Sequence, residues 1–103
     1  MRFLMRVKFP NDTANDVLRD PQFGAKMHDL LDEIHAEATY FTTIDGYRGC
    51  FAVVNMNDTS EMPKVAEPFF IWMAAEIDWF PVMTPEDLGR AGSDIAAAYK
   101  KWG

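Results

Sequence analysis

Cysteine is almost absent from this chain. Cys50 is the only one, so an intrachain disulfide is impossible, and so is a metal site built on several thiolates. Positive charge is also in deficit. Ten basic residues face 16 acidic ones, a formal net charge of −6. Such a balance repels a phosphate backbone and disfavours nucleic-acid binding. Long apolar runs are missing too: no stretch approaches the roughly 20 residues that span a bilayer. The N-terminal stretch Met1 to Phe9 carries Arg2, Arg6 and Lys8 within its apolar pattern, which fits a strand and not a signal peptide. The expected location is the cytoplasm.

Apolar residues, by contrast, are plentiful. They make up 49% of the 103 residues, with 14% aromatic. A chain of this length holds one domain, residues 1–103, and one modest core. So much apolar surface in so small a domain implies that some of it is buried against a partner.

Arg2 to Phe9 alternates strictly, with Phe3, Met5, Val7 and Phe9 on one face and Leu4, Arg6 and Lys8 on the other. This predicts a first strand ended by Pro10 and Asn11. Thr13 to Arg19 predicts a helical turn or two capped by Asn11 or Thr13. Asp20-Pro21 resembles a fresh helix start, and Phe23, Met27, Leu30, Leu31 and Ile34 draw an apolar stripe from there to about Glu37. Ala38 to Ile44 and Tyr47 to Met56 are strands joined by Asp45-Gly46, a strong hairpin signal because both residues tolerate positive φ.

A second helix is expected from about Ser60 to Ala74, kinked or split by Pro68. Ala75 to Met83 is the last strand. Thr84-Pro85-Glu86-Asp87 starts a C-terminal helix, on which Leu88, Gly92, Ile95, Tyr99 and Trp102 form one continuous seam. The fold class is therefore α+β: a ferredoxin-like βαββαβ domain with a four-stranded antiparallel sheet and an extra C-terminal helix. The first strand lies between the third and the fourth. Both main helices cover one sheet face. The uncovered face carries both charge and apolar residues, so a second copy packed against it, closing a two-chain barrel, is the simplest solution.

Residues Met1 to Lys8, Glu37 to Thr43 with Asp45-Gly46, Ala66 to Phe70, and Pro81 to Leu88 resemble the dimeric α/β-barrel superfamily. Within it they resemble a group of small bacterial proteins without an established function. The resemblance implies a homodimer and a pocket between sheet and helices for a small, often aromatic, molecule. It also admits cofactor-independent monooxygenase-like or isomerase-like chemistry on an enolisable substrate. No catalytic signature accompanies it, and fold analogy alone selects no chemistry.

Arg6 leads the candidate residues. A guanidinium in a central strand is rarely left unpaired, and Asp78 and Glu76 are expected beside it. It is either an anion clamp for a substrate carboxylate or enolate, tuned by Asp78, or a structural ion pair at a dimer interface. Tyr40 is a possible hydrogen-bond donor or general acid, and otherwise packing. Arg6, Tyr40 and Asp78 form the candidate catalytic set. Phe41, Phe69, Phe70, Trp72 and Trp79 are candidates for an aromatic ligand pocket near Pro68, although aromatic stripes are more often core.

His28 and His35, seven apart among acidic neighbours, offer a general base or a weak metal site against the blander reading of a solvated face. Haem degradation would need both to reach the pocket. No metal and no cofactor is expected. Cys50 is expected to be buried and inert. A non-catalytic binding or self-association protein is the alternative to the small-molecule enzyme.

Overall fold

The computed structural model describes all residues, 1–103. β1 (Arg2–Phe9) is followed by the short helix α1 (Asn11–Val17) and by α2 (Phe23–Glu33). The hairpin β2 (Ala38–Ile44) and β3 (Tyr47–Asn55) comes next. A 3-10 turn (Thr59–Glu61) leads into α3 (Met62–Met73), then β4 (Glu76–Val82), α4 (Pro85–Arg90) and α5 (Gly92–Trp102). The sheet order is β2-β3-β1-β4 with every pairing antiparallel, the ferredoxin-like arrangement.

The alternation in β1 sets the layers. Met5, Val7 and Phe9 are buried, as are their β3 neighbours Cys50, Ala52 and Val54. These residues pack against Met27 and Leu30 of α2 and against Val65, Phe69 and Met73 of α3. The other sheet face has no helix over it. The hairpin turn holds Asp45 at φ 53° and Gly46 at φ 82°, as its two-residue signal requires.

Several boundaries differ from the sequence pattern. α1 has no side-chain cap, since its N-cap is Pro10. Asp20 closes a turn by accepting from the Gln22 N–H at 2.9 Å, so α2 starts at Phe23. At its other end α2 stops at Glu33 and His35 takes φ 52°, so His28 and His35 do not share a helix face. α3 is neither split nor begun at Ser60. Asp58 forms a capping box with Glu61 over a 3-10 turn, and α3 then runs unbroken through Pro68. The C-terminal helix is two helices: Ala91, at φ −87° and ψ 1°, breaks it between Gly89 and Gly92. The Leu88 to Trp102 seam is therefore interrupted, and only Ile95, Tyr99 and Trp102 share α5.

α5 also stands apart. It buries no residue, and the molecule measures 58 × 28 × 21 Å with a radius of gyration of 17.3 Å. A compact chain of this length would have about 13 Å.

Candidate functional site

Cross-strand register makes the open face a grid. One transverse row is Tyr40, Phe51, Arg6 and Asp78, running from β2 to β4. The row on one side is Thr42, Gly49, Lys8 and Glu76, and the row on the other is Ala38, Val53, Leu4 and Phe80. The three candidate catalytic residues thus share a single row. Arg6 and Asp78 touch: Nη1 donates to Oδ2 at 2.9 Å. Tyr40 stands two strand spacings from Arg6, roughly 10 Å, with Phe51 between them. Its side chain is exposed.

A second carboxylate completes the Arg6 cluster. Arg6 Nη2 donates to Asp45 Oδ2 at 2.6 Å. Lys8 Nζ lies 3.4 Å from Glu76 Oε2 and 3.9 Å from Asp45 Oδ2. The hydrogen bond and charge of Arg6 hold the Asp45 carboxyl below its ordinary range, and Asp45 and Asp78 together raise the guanidinium. Two cations and three carboxylates meet here, so the cluster already carries excess negative charge. That favours the ion-pair reading of Arg6, because an incoming anion would have to displace a carboxylate. The sequence pattern marks Asp45 only as a turn residue. Its position at the hairpin end, beside the row of Lys8, is the signal that it faces this cluster.

The other sheet face forms a chamber at the hairpin end. A cavity of about 200 Å³ lies between β2, β3 and the helices, walled by Phe9, Leu18, Phe23, Phe41 and Met73, with Arg48 at its rim. A shallower groove of about 370 Å³ shares Phe23 and Phe41 with it and runs along α2 past Met27, His28 and Leu31. Arg48 Nη1 donates to Asn15 Oδ1 at 2.9 Å, and Arg48 has no carboxylate within 4 Å. The other four arginines are all paired with acids.

Residues 1–96 match the sequence profile described as Domain of unknown function (DUF3303). This chain belongs to the DUF3303 family. No curated protein matches it.

Of the five aromatic pocket candidates of this DUF3303 chain, Phe41 lines both openings. Phe69 is fully buried and stacks on Phe9. Trp72 packs on Phe23 beneath Lys26, and Trp79 meets Phe3 edge to face. Phe70 lies on the exposed side of α3. The Pro68 region opens no cavity among them. Arg48, Leu18 and Phe9 went unread as pocket residues because the chamber draws on elements far apart in the chain.

His28 Nε2 lies 3.4 Å from Asp32 on an exposed helix face, and His35 sits in the turn after α2. No three His, Cys, Asp or Glu side chains converge as a metal would require. Burial pushes the Cys50 thiol up to about 12, which removes its thiolate at neutral pH. No helix is long and apolar enough to cross a membrane.

Proposed function

We propose that the chain is a homodimer of the dimeric α/β-barrel kind that binds a small, mostly apolar molecule bearing one anionic group. The chamber supports this reading. Its walls are apolar, and the one arginine without an acidic partner stands at its rim. A cavity of about 150 Å³ accepts a single benzene ring. The slightly larger chamber here suits a substituted ring, with Arg48 pairing its carboxylate or enolate. Binding precedes any claim of chemistry. An enzyme built on Arg6, Tyr40 and Asp78 would need a second molecule on the open face inside the closed barrel, because the sheet separates that row from the chamber.

A thermal-shift series with benzoate, salicylate and 4-hydroxyphenylacetate, each beside its uncharged amide, tests the binding. The acids should raise Tm by several degrees at saturation and the amides by less. Arg48→Met should erase that difference. If acids and amides behave alike, Arg48 has no such role, and if neither stabilises, the chamber is not a site for aryl acids.

A second reading, self-association without catalysis, draws support from the open face. Leu4, Phe51, Val53 and Phe80 form an apolar band beside a cluster whose two cations are both paired with carboxylates. Sedimentation equilibrium should give a dimer, and Phe80→Asp a monomer that still folds. A wild-type monomer at micromolar concentration would rule out the dimer and the barrel together.

A further inference from the structure

α5 and the groove along α2 are both unpartnered, and each has what the other lacks. α5 places Ile95, Tyr99 and Trp102 at i, i+4 and i+7, so they line one side of the helix, and they are 44%, 75% and 79% exposed. An isolated helix of 11 residues is marginal in water, so something must pack against it to hold it. The groove is an open trough along Phe23, Gly24, Met27, His28, Leu31 and Phe41. Apolar seam meets apolar trough.

Exposed area points to a second copy as the occupant. The chain exposes 7064 Å², about 1,150 Å² more than the ~5,900 Å² of a compact monomer of its mass. Two chains burying that excess would remove an area typical of a stable dimer. Sheet order supplies the geometry. If two sheets stack face to face about a twofold axis parallel to their strands, β4 of one copy lies over β2 of the other. α5 follows β4 in the chain, and the groove borders β2. An arm leaving β4 would then start at the partner's β2 edge, around which the groove opens on the helix side.

We infer that α5 is an exchanged arm: the seam of each copy docks in the α2–β2 groove of the other, reciprocally. This inference rests on the homodimer reading above. It adds that each ligand chamber is completed by the other chain, because the groove shares Phe23 and Phe41 with the chamber. Tyr99 or Trp102 of one copy then stands beside Phe41 of its partner.

A mixing experiment with the full-length chain tests it. Trp102→Cys in one population is mixed with size-tagged Gly24→Cys, or with size-tagged His28→Cys, and the mixture is oxidised. Gly24 has open space where a side chain would go, His28 is exposed, and buried Cys50 is a silent background. A disulfide-linked heterodimer is the expected product. Sedimentation of Tyr99→Asp combined with Trp102→Asp should show dimer affinity weakened roughly tenfold or more.

A wild-type dimer that gives no heterodisulfide with either partner cysteine overturns the exchange and leaves the face-to-face dimer standing. A Trp102→Cys, Gly24→Cys double variant that closes a disulfide within one chain also overturns it, because the arm then folds back on itself. A wild-type monomer overturns the exchange together with the homodimer reading.

Discussion

The two faces of one sheet are made from the same strands and obey different rules. On the helix side β1 contributes Met5, Val7 and Phe9, none more than 3% exposed. On the open side the same strand contributes Leu4, Arg6 and Lys8, all half-buried. The first face is sealed within the chain by α2 and α3. The second is organised but unsealed: its charges are paired with Asp45, Glu76 and Asp78, while Leu4 and Phe80 remain partly in water. A polar cluster whose two cations are already paired before any partner arrives sets register and orientation more than it adds binding energy. One face holds the fold together, and the other leaves paired charges and apolar side chains at the surface.

The largest test of this contrast is truncation of one large side chain on each face. Phe69→Ala, on the sealed side, should cost about 3–5 kcal/mol of chain stability in a urea titration. Phe80→Ala, on the open side, should cost well under half of that and, in the proposed dimer, act mainly on dissociation. Equal losses in the folded monomer would mean that the faces are energetically alike.

Gly49→Ala probes how closely the open side is packed where the hairpin meets β1. A Cβ there would sit 2.6 Å from the Val7 carbonyl oxygen and 2.6 Å from Ile44 Cδ1. Ile44 can turn aside but the backbone cannot, so a loss of about 1–3 kcal/mol is expected in the same titration.

Thr84→Ala falls outside both faces and calibrates them. Thr84 Oγ1 accepts from the Asp87 N–H at 3.1 Å, and Asp87 returns a bond to the Thr84 N–H at 3.0 Å. Its loss should cost about 1 kcal/mol.

The smallest effect concerns pH. Arg6 holds the folded Asp45 carboxyl below its unfolded value, so that contribution is present above the ordinary carboxylate range. It is lost as pH falls through the depressed folded value. Arg6→Met removes it at every pH. The stability difference between wild type and variant should therefore shrink on acidification from about pH 5 to about pH 2. A difference that stays constant over this window would assign the Arg6 effect to packing.

Much of this fold was legible in the residues. Strict alternation in β1, the Asp45-Gly46 turn and the 3.6-residue stripes were sufficient for the α+β topology and for Arg6 beside Asp78. Helix ends were less legible, for a physical reason. α2 and α3 each leave through a left-handed residue that is not glycine, His35 and Ala74, so the usual stop signal is missing. The break at Ala91 was hidden because Leu88, Ile95, Tyr99 and Trp102 keep a helical spacing across it. The rim arginine lay beyond sequence pattern, and the third acid on the charged cluster became legible only once the sheet register set Asp45 beside the Lys8 row. Asp45 is 39 residues from Arg6, and Arg48 meets Phe9, Leu18 and Phe23 only after folding.

The reach of α5 also governs how the molecule travels. A radius of gyration of 17.3 Å is that of a compact globule of about 230 residues, a little over twice this chain. With its arm outstretched, a single copy would leave a gel-filtration column where a rounded dimer is expected. Folding the arm onto a neighbour would double the mass while shifting the elution volume far less. Mass read by light scattering, set beside shape read by small-angle scattering, separates the two states that retention time merges.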